Sequence, residues 1–179
     1  MTTVKRTSIA AMCIALCYVL PIAFHAVGLG SILSPMHIPV LLCGLVCGPI
    51  AGLICGIVGP CLSSLLSGMP PLLMLARMIP ELCFYGLTAG LAMKMRTGRT
   101  VTDVYASLAA GMIAGRIAGG IASAVFYTVT TGVYSVNLWL VSYFVEAIPG
   151  IAAHLILIPL LYATLERARV IPGRYAHAE

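Results

Sequence analysis

The sequence predicts an all-α integral membrane protein. Six transmembrane helices are expected, with a re-entrant first outer loop, a short second helix and both termini cytoplasmic. Three observations predict this. The 179 residues are 61% hydrophobic and only 8% charged, whereas soluble domains average about 25% charged residues, so a water-facing surface cannot be built from them. The apolar residues fall in runs long enough to cross a bilayer, which takes about 20 residues. Finally, eight of the ten Lys and Arg residues sit in three short clusters, the pattern that marks cytoplasmic loops.

Those clusters are Lys5 and Arg6; Lys94, Arg96 and Arg99; and Arg167, Arg169 and Arg174. The net charge of +5 is thereby a topology signal, and the lipid bilayer, not nucleic acid, is the expected partner. The first apolar run, Ile9 to Val27, has the length of a span and lacks the small-residue cleavage site of a secretory signal. Ala76 to Met93, Val104 to Thr130 and Leu138 to Leu165 read as three further spans. All of residues 1–179 are expected to form one membrane domain.

The region Ile38 to Leu66 is too long for one helix and short for two. Charge parity decides. With the N-terminus inside, the Lys94 cluster is inside only if an even number of spans precedes it, so the chain must reverse near Gly48 and Pro49. A helix from Pro39 to Cys47 then rises only about 14 Å at 1.5 Å per residue, roughly half the hydrocarbon thickness. The preceding "SPMH" must dip to meet it. Irregular backbone at that depth survives only where protein or a cavity surrounds it, so Ser34, Pro35, Met36 and His37 are expected to be the floor or cap of an outward-facing pocket. The segment "SGMPPLLML" from Ser67 is expected to be an outer loop able to close over it.

Glycines recur every four residues at Gly44, Gly48, Gly52 and Gly56, and again at Gly111, Gly115 and Gly119, with Gly86 and Gly90 between them. Small residues at this spacing let helix backbones approach closely in lipid. All seven cysteines lie within apolar runs and read as packing residues.

Four charged residues remain inside spans: Arg77, Glu81, Arg116 and Glu146. Each is costly in lipid and so a functional candidate. Helical spacing puts Arg77, Glu81 and Tyr85 on one face, and Trp139, Tyr143 and Glu146 on another. A few polar groups among aromatic walls make a small-molecule site. The bland alternative is ion pairing, Arg77 with Glu81 and Arg116 with Glu146. His154 reads as a satisfied core histidine, and His25 as a cap on the first helix. No cofactor or resident metal is expected. With no phosphate-binding loop and no inverted repeat of the alternating-access kind, the chain reads as a subunit that binds without driving its own cycle. A rival reading is an intramembrane enzyme with Glu81, His37 or a cysteine as its reactive group, although no nucleophile–base spacing supports it. A purely structural subunit leaves the charges unexplained.

Over essentially its whole length the chain resembles the substrate-binding (S) components of energy-coupling factor (ECF) vitamin importers. The resemblance rests on "PMHIPVLLCGLVCGPIAGLICGIVGP", on "SGMPP" and on the six-helix hydropathy. It implies a non-catalytic subunit that binds a vitamin or related micronutrient between its outer loops and helices four to six. It also implies a membrane scaffold (T) subunit and two cytoplasmic ATPases. Ala11 and Ala15 in "AMCIA" match the family's AxxxA scaffold-docking motif. Two arginines against two carboxylates suit a pantothenate- or nicotinate-like substrate. "MHIP" is similar to the metal-binding N-terminus of nickel and cobalt members, but here 35 residues precede Met36, so a metal substrate is not expected.

Overall fold

The computed structural model describes residues 2–26, 28, 30, 34–96, 100–130, 135–145 and 147–171. Its described elements are all helical. They run α1 (Thr3–Ala26), α2 (His37–Cys47), α3 (Pro49–Ser67), α4 (Leu72–Met95), α5 (Thr100–Thr130), α6 (Val136–Leu140) and α7 (Ile148–Arg167), with a π-helical turn over Val141–Val145 between the last two. Five helices have the length and composition to cross a membrane, and α2 is a short apolar sixth.

The reversal that charge parity demands is present. Gly48 separates α2 from α3 with φ of 92°, a left-handed conformation that favours glycine, and Pro49 follows at the start of α3. Gly48 therefore belongs to a turn and not to the glycine face expected of it. The turn lies at the same end as both chain ends of the described structure. Cys47 Sγ donates to the Arg6 carbonyl at 3.5 Å, and Lys5 Nζ donates to the Arg169 carbonyl at 3.1 Å. This end also carries Lys94 and Arg96, and the positive-inside rule assigns it to the cytoplasm.

Glycine brings the helices together as expected. A Cβ at Gly52 would stand 2.7 Å from the Gly86 carbonyl carbon, and one at Gly56 would stand 2.6 Å from the Leu82 oxygen. Neither position admits a side chain, so α3 and α4 meet backbone to backbone. The α5 stripe acts differently. Gly111, Gly115 and Gly119 form notches that receive Ala89, Tyr85 and Glu81 of α4 respectively.

Boundaries depart from expectation at several helix ends, among them α5, which starts at Thr100 and not Val104. α1 starts six residues earlier than Ile9. α4 starts at Leu72, so the outer loop shrinks to Gly68–Pro71, and the Met69 carbonyl is held by the Ser63 hydroxyl at 2.7 Å. The last span, expected unbroken from Leu138 to Leu165, is divided: α6 and the π-turn precede a new helix that begins at Ile148 with Pro149 in its first turn. Proline fits that position because its missing N–H would be unsatisfied there in any case.

Candidate functional site

The short α2 sets the depth of the site. Its 11 residues rise only about 16 Å from the cytoplasmic turn, so its N-terminal residue His37 stands inside the membrane. Pro35, Met36 and His37 are buried, as the re-entrant reading requires. Ser34 has φ of 43°, an uncommon conformation for a residue with a side chain. There its carbonyl accepts from both the His37 N–H, at 3.0 Å, and His37 Nδ1, at 3.1 Å.

That pair of bonds fixes the imidazole. A carbonyl only accepts, so Nδ1 carries hydrogen, and Nε2 is left facing Glu81 Oε1 at 3.5 Å. The Tyr85 ring meets His37 edge-on at 5.0 Å. On its other side the His154 ring stacks at 5.7 Å with 27° between planes. His154, expected to be a core residue apart from the site, thus joins it.

His37, Glu81, Tyr85, Arg116 and His154 line a chamber of about 210 Å³ with Ser34, Met78, Ala147 and Gly150. Glu81 reaches its place because α5 yields: a Cβ at Gly119 would stand 3.1 Å from Glu81 Oε2. Arg116 is 94% buried, from a relative exposure of 6%. Its guanidinium lies over the Phe144 ring at 5.7 Å, and its buried Nη1 has no hydrogen-bond partner among the described residues. A buried cationic donor left open is expensive, and here it lines a cavity.

A second cavity, of about 540 Å³, adjoins the chamber and shares Ser34, His37 and Met78 with it. Its other walls are mainly apolar: Pro21, Met36, Met69, Pro70, Pro71 and Met74, with His25 at the rim. Pro70 and Pro71 place the outer loop over this vestibule. His25 is therefore a wall residue as well as the last turn of α1.

The remaining expected site residues are placed less centrally. Arg77 turns away from Glu81, donates to the Tyr127 hydroxyl at 3.2 Å and lies over its ring at 5.1 Å; it lines neither cavity. Glu81 is engaged instead by His37 from α2. Trp139 Nε1 donates to the Arg116 carbonyl at 3.4 Å, so the indole is tied to the arginine's main chain. Glu146 and the side chain of Tyr143 lie outside the described residues. Ala11 and Ala15 are both exposed on α1. Met78 and Gly150 carried no signal before folding, Ser34 was expected as part of the segment capping the pocket and lines both cavities, and His154 was a polar residue in an apolar run without a visible partner. Six of the seven cysteines are buried and all are unbridged, as packing residues should be, and no metal-binding cluster occurs among the described residues.

Comparison with curated proteins and with solved structures gave no significant match. A family model described as the substrate-specific component of ECF transporters matches residues 5–162. That span holds every residue lining the chamber and the vestibule, together with the re-entrant segment and the glycine-packed core. The chain thus belongs to the substrate-specific components of ECF transporters, and it is a multi-pass protein of the prokaryotic plasma membrane.

Proposed function

We propose that this subunit captures a vitamin or related micronutrient from outside the cell, and that the ligand's acidic part occupies the chamber. Arg116 supplies the charge-assisted contact. The His37–Glu81 pair and His154 supply further polar groups, and Tyr85 walls the chamber. Met36 and the apolar vestibule take the remainder of the molecule. Trp139 holds Arg116 in position, and Tyr143 and Glu146 keep the ligand-binding role that their helical spacing with Trp139 suggests. Arg77, paired with Tyr127, braces α4 against α5 at its margin. The observation that carries this reading is the buried Nη1 of Arg116, which has no hydrogen-bond partner among the described residues, on a side chain that lines the chamber.

The transfer step falls to partners. A membrane scaffold subunit docks against the exposed Ala11 and Ala15, where small side chains permit close helix approach. Two cytoplasmic ATPases hydrolyse the ATP, and this chain performs no catalysis. A carboxylated substrate of pantothenate or nicotinate type suits the buried Arg116 guanidinium.

The test is mass spectrometry of the small molecule that leaves the purified protein on denaturation. One acid-bearing compound in near-stoichiometric amount is expected. A compound lacking any anionic or strongly polar acceptor group would overturn the role given to Arg116.

A further inference from the structure

At the cytoplasmic end lies a third cavity, of about 430 Å³, that has no part in substrate capture. Arg6 of α1 and Lys94 of α4 stand on it, and Leu45, Val46, Ile50 and Met93 give it apolar walls. Among the described residues neither cation has a carboxylate partner. Gly48 makes room for the arginine: a Cβ there would stand 3.0 Å from Arg6 Nη2. Ile50, 66% exposed, opens the apolar wall toward the surrounding lipid.

We infer that this cavity binds the phosphodiester headgroup of an anionic phospholipid of the inner leaflet, clamped between Arg6 and Lys94. Two cations from different helices, converging on a cavity at the level where the helices end, complement one phosphate. The leaflet facing the cytoplasm supplies anionic lipid and attracts basic residues near its surface. The apolar walls take the first part of an acyl chain, which a free phosphate would leave bare. The site is separate from the alanine docking face. At about 100° per residue, Arg6 lies about 140° round α1 from Ala11 and about 180° from Ala15.

The test uses the whole protein in nanodiscs of equal phosphatidylglycerol and phosphatidylcholine, with retained lipid counted by native mass spectrometry. Wild type should retain phosphatidylglycerol preferentially. R6Q/K94Q should lose that preference by about tenfold or more, the loss expected when a charge-assisted contact to the phosphate is removed. R6K/K94R, which keeps both charges, should retain it. R167Q/R169Q removes the same charge at the same end and should also retain it. Equal loss in R167Q/R169Q would reduce the effect to diffuse surface charge and overturn the site, as would undiminished preference in R6Q/K94Q. Displacement of the lipid by millimolar inorganic phosphate would overturn the lipid assignment in favour of a free-anion site.

Discussion

Replacing Arg116 by alanine separates a ligand-binding arginine from a structural one. The guanidinium is buried, and its Nη1 makes no hydrogen bond among the described residues. Its removal therefore costs the empty protein little hydrogen bonding, while a bound acid loses a charge-assisted contact. Such contacts contribute about 1.5–3 kcal/mol, so affinity should fall roughly ten- to over a hundredfold. Thermal unfolding with and without the identified substrate reads both effects at once. At a ligand concentration near 1,000 times the wild-type Kd, binding stabilises wild type by about 4.1 kcal/mol. For a variant weakened tenfold the same concentration gives about 2.7 kcal/mol, and for one weakened a hundredfold about 1.4 kcal/mol. The unliganded variant should melt close to wild type. If it unfolds instead, and Arg116→Ala with Glu146→Ala restores stability, the arginine serves a buried ion pair and not the substrate. Wild-type affinity in a stable Arg116→Ala protein would refute both roles.

Three further outcomes are expected. A cysteine at Met69 should react with an impermeant thiol reagent from outside, and one at Arg96 only after permeabilisation; outside labelling at Arg96 would break the charge-parity topology. Ala11→Trp or Ala15→Trp should abolish uptake in cells while the isolated protein binds substrate normally, because the indole blocks close helix approach; loss of binding as well would place this face inside the fold. Gly86→Ala should lower stability by about 1–3 kcal/mol or more, read as a fall in melting temperature, since its Cβ would stand 2.5 Å from the Gly52 carbonyl carbon. An unchanged melting temperature would show that α3 and α4 do not meet there.

The sequence by itself determined the membrane class, the reversal at Gly48 and the dip of the outer segment. Each follows from one-dimensional quantities: hydropathy against bilayer thickness, and the parity of charged loops. Glu81 and Arg116 were legible because charge inside a span is costly wherever it occurs. The glycine stripes were legible as close-packing faces, but not their partners, because a notch says nothing of what fills it. That the α5 notches receive Tyr85 and Glu81 was decided by the register of two helices. The broken last span had a signal in Pro149, yet prolines also lie within α1, α3 and α4, and neighbouring helices can satisfy the freed backbone groups. Proline alone therefore did not settle where a helix ends. His154 shows most clearly what tertiary structure adds. It lies 117 residues after His37 and reads alone as a lone polar group in an apolar helix. Only the packing of α7 against α2 stacks the two rings and turns that isolated histidine into a wall of the chamber.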